Sequence, residues 1–319
     1  MGYGTIIIVG VLALIASILL TSVIIPVLEY KQTGQNIRQE GPQAHLSKSG
    51  TPSMGGIGII AATVVAAAIG GHFSVDTLLI FAGFLLYALI GFIDDYLKVI
   101  KKQNEGLRAW QKFGLQLVVA VAFALYMALL SPHGTEVYIP FADIFVYFGG
   151  WYVPFIVFTI LAMVNAVNLT DGLDGLAAGT TAIVCIFMAI VALMQKAGPS
   201  AGFYAALVGA CIGFLVYNKY PAKVFMGDTG SLALGGGITF AAIVMKMELF
   251  LPLVGLVYVL EALSVVIQVS YFKASGGKRI FKMAPLHHHF ELSGMHETKV
   301  ALMLWGLTLV CCIIGLVII

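Results

Sequence analysis

The sequence predicts an all-α, polytopic integral membrane protein of about ten transmembrane helices, organised as a single domain over residues 1–319. Three observations carry that prediction. Of the 319 residues, 60% are hydrophobic and only 10% charged; soluble domains average about 25% charged, so this chain lacks the polar surface a water-exposed fold needs. Apolar runs such as Ile6 to Val27, Leu78 to Ile93, Leu115 to Leu130 and Val300 to Ile319 are long enough to cross a hydrocarbon core of about 30 Å as helices. Once these runs are placed in order, the basic residues fall almost entirely on one side.

The helices are expected near residues 4–27, 54–70, 77–93, 112–130, 148–167, 175–194, 201–217, 231–247, 250–272 and 299–318. The first run has no basic segment ahead of it, exceeds the apolar length of a signal peptide and lacks a small-residue cleavage site, so it is read as a span. Helices satisfy their own backbone groups in lipid. An even number of crossings puts both termini on one side. The loops then divide into 28–53, 94–111, 168–174, 218–230 and 273–298 against 71–76, 131–147, 195–200 and 248–249. Of the 17 Lys and Arg, fifteen (Arg38, Lys98, Lys102 and Lys112 among them) go with the first set; only Lys196 and Lys246 go with the second. The positive-inside rule makes the first set cytoplasmic, with both termini outside the plasma membrane.

Cys185, Cys211, Cys311 and Cys312 all lie in apolar runs, without metal-like spacing or a loop setting for disulfides, and are read as packing residues. A net charge of +2 points to no nucleic-acid partner. No internal repeat or low-complexity linker stands out.

The acidic residues follow the lysines to the same face. Asp94 and Asp95, with Lys98 one turn on, are expected to close the third helix; adjacent carboxylates there call for a divalent cation or basic groups between them, although a solvated helix end is the plainer alternative. Asn168-Leu-Thr-Asp-Gly-Leu-Asp-Gly175 offers Asp171 and Asp174 as oxygen donors beside glycines that permit close approach. Its spacing is not that of an EF-hand, and a simple helix cap is the alternative. Asn218 to Ser231 places Asp228 before the expected start of the eighth helix, where amides could receive an anion, and Phe225 offers a ring for base stacking. His287, His288 and His289 lie in Pro285-Leu-His-His-His-Phe-Glu291; phosphate binding, carboxylate orientation and zinc ligation are all open to them. His45 to Gly56, with Lys48 and Ser53, forms a hydroxyl-rich approach suited to phosphate. Glu261 and Gln268 are polar groups within an apolar span, with helix packing as the alternative to function.

Taken together, Lys48-Ser-Gly-Thr-Pro-Ser-Met-Gly-Gly56, Asp94-Asp-Tyr-Leu-Lys98, Asn168 to Gly175, Val224-Phe-Met-Gly-Asp-Thr-Gly-Ser-Leu232 and Pro285 to Glu291 resemble, in order, the motifs of the phospho-N-acetylmuramoyl-pentapeptide transferase family. That family belongs to the polyprenyl-phosphate N-acetylhexosamine-1-phosphate transferase superfamily. Ser53 stands where Thr is expected, with the hydroxyl kept. The resemblance implies transfer of phospho-MurNAc-pentapeptide from UDP-MurNAc-pentapeptide to undecaprenyl phosphate in the bilayer, with Mg²⁺, giving lipid I and UMP, by direct attack or through an aspartyl intermediate. It further implies Asp228 as the main Mg²⁺ ligand, Asp94 and Asp95 at the reacting phosphates with Asp94 as base, and Lys48, Lys98 and His287 on phosphate oxygens. Asn218, Asp171, Asp174 and Phe225 would hold the uridine, with Ser53, Asn168, His288 and His289 as further substrate contacts. Dimers are expected on the same ground. The rivals are a GlcNAc-1-phosphate transferase using the same aspartates and a transporter, which would place its charges nearer the midplane.

Overall fold

The computed structural model describes residues 2–31, 48, 50–71, 74–101 and 106–319. His45, Arg38 and Lys102 lie outside them. Among the described residues there are ten helices of fifteen residues or more: α1 (Tyr3–Tyr30), α2 (Gly56–Gly70), α3 (Val75–Lys101), α4 (Ala109–Leu129), α5 (Tyr152–Thr170), α6 (Leu176–Met194), α7 (Gly198–Asn218), α8 (Gly227–Val244), α10 (Leu256–Ala274) and α12 (Glu297–Ile318). Each matches one predicted span. Eight are long and apolar enough to cross a membrane; α2, at 15 residues, is a shorter apolar helix, and α8 falls outside that set.

The shortfall of α8 follows from its place at the centre of the bundle, where every residue from Thr229 to Val244 is buried. A helix surrounded by protein needs small residues more than apolar ones. Gly236 packs on Tyr87 and Gly237 on Phe84 and Phe203, and a Cβ at either position would come within 2.8 Å of those rings. Gly235 meets the backbone of Val164 on α5 in the same way. α3 runs antiparallel to α8: Gly83 faces Phe240, Tyr87 faces Gly236 and Gly91 faces Asp228. The C-terminal part of α3 therefore meets the first turn of α8.

Four local features depart from the sequence reading. α3 does not close at Asp94-Asp95 but continues to Lys101, so both carboxylates sit inside a helix. α8 begins at Gly227 rather than Ser231, which puts Asp228 in its first turn. The ninth predicted helix is broken into α9 (Leu251–Val254) and α10 by Gly255, where a Cβ would lie 2.7 Å from the Leu251 carbonyl oxygen. Two expected loops hold short elements: an antiparallel hairpin of β1 (Glu136–Ile139) and β2 (Ile144–Tyr147), pairing Val137 with Val146, and α11 (Leu286–Glu291).

Candidate active site

Asp94 and Asp95, in the C-terminal part of α3, meet Asp228 in the first turn of α8. Asp95 accepts hydrogen bonds from the backbone N–H (2.9 Å) and the hydroxyl (2.8 Å) of Thr229. It thereby serves one free amide at the start of α8 and places negative charge at the positive end of that helix. Asp94 accepts from the Leu107 N–H at 2.8 Å and from Lys98 at 2.7 Å. Asp228 accepts from Asn168 at 2.7 Å, Lys98 at 2.8 Å and Lys112 at 2.9 Å. The Asn168 amide also donates to Ser231 at 2.8 Å, which ties the end of α5 to α8.

One carboxylate oxygen each from Asp94, Asp95 and Asp228 lies within 4.8 Å of the others, close enough to hold a metal ion. The donor set is all carboxylate oxygen, which suits a hard divalent cation. The Lys98 ammonium sits among the same three groups, 3.5 Å from Asp95, so positive charge is already favoured at this point.

Gly227 turns the chain into α8 with φ at +74°, and a Cβ there would come 2.6 Å from Asp95 Oδ2 and 2.9 Å from the Ser53 hydroxyl. That contact places Ser53 beside the carboxylates. Asp171 caps α5 and accepts from the Gly227 amide; burial, then the charges of Asp228, Asp95 and Asp174, push its carboxyl well above the usual carboxylate range. A cation in the cluster would relieve that repulsion.

Lys48 sits one step away. It pairs with Asp174 (2.8 Å) and Glu297 (2.6 Å), while Asp174 also accepts from the Ala222 N–H and Glu297 from the Asp174 N–H. Asn218 accepts from the Gly175 N–H and donates to the Val224 carbonyl, fixing the turn that carries Phe225, whose ring is half-buried. His287 packs against Gly172, next to Asp171. Its two neighbours diverge from it: His288 meets Glu291 at 3.0 Å, and His289 accepts from the Lys282 N–H. The three imidazoles thus address three different partners rather than one zinc ion.

Glu261 and Gln268 do not reach the carboxylate cluster. Spaced seven apart on one face of α10, they grip the segment that follows: Gln268 accepts from the N–H groups of Ile280 and Phe281, and Glu261 meets His287. Lys112, Thr229 and Glu297 escaped the sequence reading as site residues. Lys112 was one of fifteen basic residues on its side, and nothing in its neighbours marks it apart from them.

A Glycosyl transferase family 4 profile matches residues 77–246. The chain is 51% identical over 310 residues to a phospho-N-acetylmuramoyl-pentapeptide-transferase of Acetivibrio thermocellus, covering 96% of this chain and 92% of that one. The chain belongs to the phospho-N-acetylmuramoyl-pentapeptide transferase family. Relatives of the same name from Thermoanaerobacter sp. (48% identical, 96% of each chain) and Clostridium novyi (47% identical, 95% of this chain and 93% of that one) agree. Membership makes the chain a transferase, and the apolar helices make it a multi-pass membrane protein. Within the family match, residues 77–246 include all three clustered carboxylates, Lys98, Lys112 and Asn168.

Proposed function

We propose that the chain transfers phospho-MurNAc-pentapeptide from UDP-MurNAc-pentapeptide to undecaprenyl phosphate, forming lipid I and releasing UMP in peptidoglycan synthesis. The observation that carries this reading is the cluster of Asp94, Asp95 and Asp228 bridged by Lys98 in a chain of this family. An oxygen of the acceptor phosphate attacks the phosphorus bearing the sugar, and the bond from that phosphorus to UMP breaks. Phosphoryl transfer asks the protein chiefly for positioning and for neutralisation of charge on phosphate oxygens.

Mg²⁺ is the proposed cofactor: bound at Asp228, with Asp94 and Asp95 beside it, it would neutralise the diphosphate and the departing UMP. Lys98 and Lys112 add positive charge on the same side of Asp228. Asp94 is the base that keeps the acceptor phosphate ionised, a small task at pH 7 because the second pKa of a phosphate is about 6. His287 and Lys48 offer N–H donors to phosphate oxygens. Asp171, Asp174 and Asn218 line the place of the uridine, Phe225 stacks on uracil, and Ser53, Asn168, His288 and His289 are further substrate contacts.

The carboxylate end faces the cytoplasm, where the nucleotide sugar is made, and both termini lie outside the plasma membrane; the chain works as a homodimer. Mass spectrometry of products formed from UDP-MurNAc-pentapeptide, undecaprenyl phosphate and Mg²⁺, beside an EDTA control, tests the proposal. Lipid I formed only without EDTA is expected. Turnover of UDP-GlcNAc in place of the muramyl substrate would overturn the choice of substrate, and no lipid-linked product with either sugar would overturn the reaction.

A further inference from the structure

An ionisable residue inside an apolar helix is costly to bury, so its surroundings report what it is for. Glu261 on α10 and His287 on α11 are each 1% exposed. Glu261 Oε2 lies 3.1 Å from His287 Nδ1 and 3.4 Å from the His287 backbone nitrogen, which donates to it. The other two polar atoms of the pair, Glu261 Oε1 and His287 Nε2, are buried and have no hydrogen-bond partner among the described residues. Nε2 is aimed at the backbone of Gly172, where a Cβ would lie only 2.2 Å away. Gly172 immediately follows Asp171, so this ring nitrogen faces the site turn while the other faces a carboxylate. The His288 ring, 4.2 Å away between centroids, closes a further side.

The arrangement separates the two ring nitrogens by function. A carboxylate that accepts from one nitrogen of an imidazole fixes its tautomer and its plane, and makes the ring a stronger base at the other nitrogen. We propose that Glu261 is the positioning residue of His287: it holds the proton on Nδ1, and Nε2, protonated as the anionic substrate arrives, donates across the glycine gap to a phosphate oxygen. Gly172 belongs to this device, because any side chain there would stand in the path of Nε2. The assignment rests on the phosphotransferase reading of the site. A staple joining α11 to α10 would need the same hydrogen bond, but it would not matter to a staple which nitrogen carries the proton.

The test uses the full chain in detergent micelles with ¹⁵N-labelled histidine, with the His287 signals assigned by their loss in His287→Gln. A proton on Nδ1 in the wild-type protein is expected, and a proton on Nε2 alone with Nδ1 bare overturns the proposal. This readout needs no substrate, so it stands apart from the identity of the nucleotide sugar. In turnover, the near-isosteric Glu261→Gln is expected to lower kcat about a hundredfold with little change in KM, as the loss of one preorganised donor to the reacting group does. Because Glu261 acts through His287, the double variant should lose no more than His287→Gln alone. Losses that multiply would show two independent contributions and sink the idea.

Discussion

At one end of the bundle, Asp94, Asp95 and Asp228 each accept at least two hydrogen bonds, and two lysines stand against Asp228. At the other end, beyond α8, Glu248 is 1% exposed and neither of its oxygens has a hydrogen-bond partner on another described residue. A lysine is present there too, but Lys246 donates to the Gly134 carbonyl at 2.7 Å and lies over the ring of Tyr152, beside the hairpin. Its charge reaches Glu248 only through space. Burial therefore pushes the Glu248 carboxyl up to about 7, against an ordinary value of 4.5. Both ends bury carboxylates, and what separates them is donors. Asp228, with two ammonium partners, is held below the usual carboxylate range and can serve a cation or face a phosphate; Glu248, with no ammonium in contact, drifts toward its neutral form.

The comparison breaks most visibly at Asp228. Asp228→Asn keeps the shape but removes the charge that Lys98 and Lys112 surround, and UMP release in detergent should fall about 10³-fold. A variant with ordinary turnover across an Mg²⁺ titration would remove this residue from the chemistry.

Glu248 predicts the opposite kind of effect, on stability and not on turnover. Its folded pKa is raised, so the folded state holds the proton more tightly than the unfolded chain does. Stability from this group is full below about pH 4.5 and is lost as pH rises through about 7. Glu248→Gln cannot ionise, so it should be the more stable protein by ~3 kcal/mol above pH 7, at 1.36 kcal/mol per pKa unit, and converge with the parent near pH 4.5. Thermal unfolding in detergent at pH 4.5, 6 and 8 reads this directly. A constant difference at all three would mean that the carboxyl is served after all.

The smallest expected effect sharpens the comparison at the carboxylate end. Lys112→Met deletes one of two ammonium partners of Asp228 and leaves Lys98 in place, so kcat/KM should fall about tenfold, the worth of one charge-assisted hydrogen bond. An unchanged value would make Lys98 the sole working cation.

The ten long helices were legible because lipid demands continuous apolar runs, and the carboxylates because charge at the end of such a run needs a reason. The sequence singled out Asp94, Asp95, Asp171 and Asp228, and the fold brings them near one another. It did not show that α3 carries its pair inside the helix, since no local signal stops or continues a helix at a polar residue there. The break at Gly255 and the short hairpin lacked any lengthy periodic pattern. Lys112, Thr229, Glu297 and the role of Glu261 depend on partners far along the chain. Asp174 and Glu297, for example, are 123 residues apart. For the histidine triplet the sequence left phosphate, carboxylate and zinc open; the helix turns each ring toward a different partner, and two of these partners are carboxylates.

The glycines of α8 have a consequence for anyone who would stabilise the protein. Replacing helical glycine by alanine is a common stabilising step, since it restricts the unfolded chain. On α8 that route is closed, because Gly235, Gly236 and Gly237 are where neighbouring helices touch its backbone. These contacts also set how far along α3 the helix sits. Shifting the two helices against each other by one turn, about 5.4 Å, would part Asp95 from Thr229. The alignment of the reactive groups is thus held from the interior, several turns distant from them, and a methyl group added there would be felt as lost turnover.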